Sequence, residues 1–104
     1  MGMMLLLDEA QALKGKVGEA TAFLKKFSNP DRLLIACTLI GGERSVRELE
    51  EGLDIRQPGL SQQISELRRA GRITGRKEGK QVFYRLSDPR IESFIHIMHR
   101  LFCQ

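Results

Sequence analysis

The chain has 104 residues, 41% hydrophobic and 29% charged, with a formal charge of +4. That describes one folded domain with a modest core and excludes a disordered chain. Two cysteines, Cys37 and Cys103, exclude a disulfide-stapled secreted module, and no CxxC spacing marks a zinc knuckle or a thioredoxin-type site.

The charge is unevenly placed. Between Arg68 and Arg85 stand seven basic residues against Glu78, a formal +6 that leaves the rest of the chain at −2. Concentrating cations in one stretch is what a phosphate-facing surface requires.

The apolar run Met3–Leu7 lacks a basic flank and meets Asp8-Glu9 at once. It is too short for a signal peptide or a membrane span, and Leu6 stands where a myristoylation motif wants Ser or Thr. A cytoplasmic protein is expected. From 8 to 27, Leu13, Val17, Ala20, Leu24 and Phe27 recur at helical spacing and predict a first amphipathic helix, weakened by Gly15 and Gly18. Ser28-Asn29-Pro30-Asp31 then stops one helix and caps the next. The second helix runs through Leu33, Leu34, Cys37 and Ile40, taken as its buried face, to Gly41-Gly42.

Ser45 with Glu48 three residues on reads as a capping box opening a third helix, whose buried face is Val46, Leu49 and Leu53. A fourth helix follows Ile55-Arg56-Gln57-Pro58, with Leu60, Ile64 and Leu67 inward, and closes at Ala70-Gly71. Residues 45–71 are therefore a helix-turn-helix. After Gly71 the period becomes two: Val82, Tyr84 and Leu86 alternate with Gln81, Phe83 and Arg85, paired with a strand from Ile73 to Arg76. A basic hairpin over 72–86, directly after a helix-turn-helix, is a wing. Asp88-Pro89 restarts a helix to 103 carrying Ile91, Phe94, Ile95, Met98, Leu101 and Phe102, too apolar for an exposed face. The fold class is mainly α with a small β-hairpin, a dimeric winged helix-turn-helix ordered helix ×4, strand, strand, helix.

A recognition helix enters the major groove N-terminus first. Its outward residues here are Gln57, Ser61, Gln62 and Ser65, then Arg68 and Arg69, with Gln63 turned partly back toward the protein. Gln57 and Gln62, then Ser61, suit base edges, whereas arginines serve phosphates or guanine. Arg76, Lys77 and Lys80 of the wing fix register on phosphates or in a minor groove. Duplex DNA with a palindromic operator is the partner. A Gln/Ser face or a basic hairpin is, taken singly, often only solvated surface; here they stand adjacent and in winged-helix order.

Asn29-Pro30-Asp31-Arg32-Leu33, Ser45-Val46-Arg47-Glu48-Leu49, Gln57-Pro58-Gly59-Leu60-Ser61-Gln62-Gln63, Leu67-Arg68-Arg69-Ala70-Gly71 and Val82-Phe83-Tyr84-Arg85-Leu86 together resemble the ArsR/SmtB family of bacterial repressors. The resemblance implies a dimer built from the first and last helices (8–27 and 88–103) and a repressor that leaves its operator when an inducer binds. The metal sites of the family do not carry over. The third helix has no Cys-x-Cys, the last helix offers Asp88-x-Arg90 where Asp-x-His is wanted, and His96 and His99 fall too early for the second half-site. No cofactor or metal is expected; two histidines on one helix read as a polar stripe.

The cysteine pair is similar to that of the sulfide- and redox-responsive branch, the BigR/SqrR/HlyU-like regulators. That resemblance implies a switch in which Cys37 and Cys103 become linked by reactive sulfur or an oxidant. Read from the residues alone, Cys37 is a buried, inert thiol beside Leu33, Leu34 and Ile40, while Cys103 is reachable near the last helix's end. Three other readings stay open: a regulator or antirepressor with passive cysteines, a metal-responsive repressor, or a winged-helix protein-interaction module. No nucleophile elbow, phosphate loop or HExxH occurs, so an enzyme is not expected.

Overall fold

A computed structural model describes residues 3–103, with side chains from Leu7 onward. It contains six helices and three strands among the described residues. The single first helix expected over 8–27 is two helices, α1 (Met3–Lys14) and α2 (Val17–Lys26). They part at Gly15-Lys16, where the Lys16 amide donates to the Leu13 carbonyl at 2.8 Å, a tightened last turn, and α2 begins with no side-chain cap. Without a side chain to pack at Gly15, the helix has little reason to continue straight.

Helix α3 (Pro30–Leu39) starts as its sequence dictates, with the Asn29 side chain accepting from the Arg32 amide at 3.0 Å and Pro30 in the first turn. Its buried face is Ile35, Ala36 and Leu39. Leu33 and Ile40 are only partly buried, Leu34 is 46% exposed and Cys37 is exposed, so the expected face of Leu33, Leu34, Cys37 and Ile40 is corrected. The physical reason is that Leu33 to Ile40 is apolar nearly throughout. Periodicity then cannot choose a face, and neighbouring elements do.

Strand β1 (Arg44–Ser45) leads into α4 (Val46–Leu53) through the capping box: the Ser45 hydroxyl accepts from the Glu48 amide and the Glu48 carboxylate from the Ser45 amide. Asp54, in the left-handed region at φ 55°, ends α4, and α5 (Gly59–Arg69) follows. Strands β2 (Ile73–Glu78) and β3 (Gln81–Leu86) form the hairpin, in register from Ile73 opposite Leu86 to Glu78 opposite Gln81. The sheet has a third member that the sequence did not reveal. β1 pairs antiparallel with β3, Arg44 opposite Tyr84, which anchors the wing to the start of α4. Gly75 is needed for close approach: a Cβ there would lie 2.8 Å from the Tyr84 ring. Helix α6 (Pro89–Cys103) completes the chain.

Ile35, Leu49, Leu60, Leu67 and Ile91, one or more each from α3, α4, α5 and α6, are fully buried and make the centre of the core. Phe23, Phe27 and Phe94 join α2 to α6 as an aromatic cluster with centroids 5.0–5.7 Å apart. Beyond that cluster the chain does not close on itself. Every residue from Leu7 to Glu19 is exposed, and the exposed large apolar side chains include Leu7, Leu13, Val17, Leu24, Leu101 and Phe102, all on α1, α2 and α6. The radius of gyration is 16.2 Å, against about 13 Å for a compact domain of this size.

Candidate nucleic-acid interface and cysteine cleft

Helix α5 buries Leu60, Ile64 and Leu67, so the opposite face is left to solvent. Gln57, Ser61, Gln62, Ser65, Arg68 and Arg69 are exposed there, as expected, and Gln63 is half-buried. The N-terminal turn has an unusual cap. Pro58 has no side-chain oxygen to offer, and Gln57 substitutes: its Oε1 accepts from the Ser61 amide at 3.1 Å and from the Ser61 hydroxyl at 2.8 Å. Gln63 turns back, its Oε1 accepting from Arg32 Nη1 at 2.7 Å. Arg32, not singled out in the sequence, is braced by a second bond from its Nε to the Lys26 carbonyl. Its signal was position alone: the third residue of a helix whose N-terminus faces α5.

The wing residues divide. Arg76 is engaged within the protein: it pairs with Glu43 at 2.9 Å and Glu78 at 2.6 Å, and its guanidinium lies over the Phe83 ring. Both carboxylates hold its proton more firmly than an ordinary arginine's, and the same contact pulls Glu43 below the usual carboxylate range. Lys77 and Lys80 are exposed and make no ion pair among the described residues. The free positive charge of the wing tip is thus carried by the lysines, with Arg76 as a strut between the hairpin and the α3–β1 turn.

At the base of the wing, Asp88 accepts from Arg72 at 2.8 Å and from Arg90 at 2.9 Å, and caps α6 by accepting from the Arg90 amide at 3.0 Å. Arg90 also reaches Glu19 of α2 at 3.0 Å. Bonds from Arg90, assisted by Arg72, hold the Asp88 carboxyl down at about 2. The Asp-x-Arg departure noted in the sequence has a structural consequence: guanidinium groups occupy the carboxylate that a metal would need.

The two cysteines line one cleft. Cys37 of α3 and Cys103 of α6 open on one cleft of about 240 Å³, walled by Leu33, Ile95, Met98, His99 and Phe102. Both are free thiols and both are exposed, which corrects the expectation that Cys37 is buried. The α3 face turned toward Ile35 and Ala36 leaves Cys37 on the cleft side. Partial desolvation by the apolar walls pushes the Cys37 thiol up, and the nearby charge of Cys103 pushes it further. His96 lies instead toward Glu92, 3.6 Å away on the outer side of α6.

Residues 29–74, from the cap of α3 through the end of α5 into β2, match the model of the bacterial regulatory proteins of the arsR family. Over 92 residues the chain is 47% identical to the biofilm growth-associated repressor of Agrobacterium fabrum, covering 88% of this chain and 79% of that one. The chain belongs to the ArsR family. It is 40% identical to the transcriptional activator HlyU of Vibrio cholerae, covering 90% and 87% of the two chains. The crystal structure of the transcriptional repressor BigR from Xylella fastidiosa superposes with a TM-score of 0.89 at 38% identity, covering 91% and 97%. As an ArsR-family member the protein is a winged-helix transcriptional regulator that binds DNA, and not an enzyme. No helix among the described residues is long and apolar enough to cross a membrane.

Proposed function

We propose that the protein is a cytoplasmic repressor that binds a palindromic operator as a homodimer and releases it when reactive sulfur or an oxidant links Cys37 to Cys103. The observation that carries the switch is that both thiols open on the same apolar cleft between α3 and α6. Dimerisation through 8–27 and 88–103 is supported by the exposed apolar side chains of α1, α2 and α6, including Leu13, Val17, Leu24 and Leu101. Covering such side chains is worth roughly 25 cal/mol per Å² of apolar surface. A second copy, with the same face, is the partner that fits.

The chemistry balances with a polysulfide as oxidant. The Cys103 thiolate attacks a polysulfide sulfur, forming a persulfide and expelling a shortened sulfide chain. The Cys37 thiolate then displaces hydrosulfide and closes the bond; each thiol loses its proton to solvent. Where the first attack leaves a chain one sulfur longer on Cys103, the same displacement of hydrosulfide closes a trisulfide, and the extra sulfur relaxes the limit of about 7 Å that a direct disulfide sets on Cα separation. The link ties α6 to α3, whose Arg32 braces Gln63 of α5, so it acts on the spacing of the two recognition helices. Those must lie about 34 Å apart to enter successive grooves, and a small rotation suffices for release.

Binding to a selected duplex pool, with thiols reduced and again after polysulfide treatment, tests both parts. The reduced wild type should bind, with affinity falling steeply as salt rises, and the treated protein should let go. Cys37→Ser and Cys103→Ser should bind in both conditions. A double-serine protein that still responds defeats the switch and leaves a regulator with passive cysteines. No salt-dependent duplex binding by the reduced wild type defeats the DNA reading itself.

A further inference from the structure

The base-reading face of α5 has its donors and acceptors sorted by bonds within the protein. A free glutamine amide offers an oxygen that accepts and an NH₂ that donates, and reading adenine in the major groove takes both: NH₂ to N7, oxygen from N6. Gln57 lacks half of that. Its Oε1 accepts from the Ser61 amide and the Ser61 hydroxyl. A backbone N–H only donates, so the partner fixes which end of the amide is the oxygen, and both lone pairs are taken. The same contact uses the single hydroxyl proton of Ser61 and leaves that oxygen as an acceptor. Gln63 is tethered likewise, because the guanidinium of Arg32 has nothing but donors. Gln62 is exposed, and its side-chain amide makes no hydrogen bond among the described residues, its backbone N–H donating to the Pro58 carbonyl.

We propose that Gln62 is the adenine-reading residue of this protein, that Gln57 acts as a pure donor selecting guanine or thymine, and that Ser61 acts as a pure acceptor. Guanine presents two adjacent acceptors, N7 and O6, and thymine O4 to an NH₂ group, whereas adenine sets a donating N6 amino group beside its N7 and cytosine offers only its amino group, and both repel a donor. Gln63 and Arg32 are positioning residues: the pair sets how α5 stands against α3 and does not touch a base. This rests on α5 being the DNA-reading helix and adds the chemical class of base each side chain takes.

Selection of duplexes from a random pool by the full-length reduced protein tests it, comparing wild type, Gln62→Ala and Gln57→Glu. Both side chains are exposed, and glutamate at 57 keeps both acceptances from Ser61 while removing the NH₂, so folding is preserved. The added charge weakens binding overall, while the free carboxylate oxygen can only accept and so turns the preference toward cytosine; the base preference at each position is what is read. Gln62→Ala should lose about tenfold or more of its preference at one adenine per half-site. Gln57→Glu should lose a similar preference at a different position, where the wild type selects guanine or thymine. Loss of an adenine preference in Gln57→Glu, or an unchanged selected sequence in either variant, overturns the assignment while the regulator stands. A wild type that enriches no sequence overturns the regulator and the assignment together.

Discussion

Arg72 and Asp88 form an ion pair at 2.8 Å where the wing begins and α6 starts, with side chains only 12% and 10% exposed. Asp88 is shared with Arg90, which reaches α2 through Glu19, and Arg72 packs its guanidinium over the Phe23 ring. One carboxylate thereby holds the hairpin, the last helix and the second helix in a fixed relation. Because its carboxyl sits at about 2 against an ordinary 3.8, it contributes stability that is complete above pH 4. That contribution is lost as pH falls from about 4 toward 2. Asp88→Asn should flatten the acid limb of a stability–pH curve in this window. At neutral pH it should cost about 3 kcal/mol in urea unfolding, because it leaves a largely buried arginine unpaired. A loss below about 0.5 kcal/mol would show the pair to be ornamental.

The wing predicts an inequality between cations. Lys77→Ala and Lys80→Ala should each reduce the salt dependence of duplex binding by about one counterion per protomer. Arg76→Ala should change that slope little, since Glu43 and Glu78 already balance its charge, and should instead lower the melting temperature by loosening the hairpin. Equal slopes for Arg76→Ala and Lys77→Ala would contradict this division. Titrations at several salt concentrations measure it.

Leu24 is 52% exposed on α2 and does not enter the core. Leu24→Glu should leave the protomer folded, with an unchanged circular dichroism spectrum, and shift it from dimer to monomer by sedimentation. Duplex affinity should fall at least tenfold, because a monomer contacts one half-site. A variant that remains dimeric places the interface elsewhere.

Cys37 should alkylate slowly at neutral pH, with a rate that rises through a pKa above that of an ordinary thiol. Cys103→Ser removes the neighbouring charge and should bring the Cys37 titration down part of the way, since desolvation by the cleft is the larger cause and persists. Rates of iodoacetamide labelling against pH, followed by mass spectrometry, give both titrations. No change on removing Cys103 would mean that the two sulfurs do not feel each other.

The local signals in the chain read through to structure wherever one short stretch held the whole cause. The Ser45–Glu48 box, the Asn29-Pro30 start, the alternation of Val82, Tyr84 and Leu86, and the Leu60-Ile64-Leu67 stripe all appear as their spacing dictates. What failed lay where local signals were degenerate. The apolar stretch from Leu33 to Ile40 offers no polar side to orient α3, so its spacing points Cys37 to the wrong face. The pairing of Arg44-Ser45 with β3 involved two residues with no strand signature of their own. Arg32 carries no signal of its own in the sequence, and Arg76 reads there as a phosphate-facing wing cation, because Gln63 and Glu43, which engage them, are 31 and 33 residues away.

By itself the sequence determined the helix-turn-helix with its wing, the last helix and the chemical character of the exposed α5 face, but not the break between α1 and α2 or strand β1, because caps, turns and periods act over a few residues. Tertiary structure alone decided which way α3 faces, that Cys37 and Cys103 share a cleft, and which amide oxygens on α5 are already occupied. Those depend on contacts between side chains that the chain brings together only when α3, α5 and α6 pack around Ile35, Leu60 and Ile91.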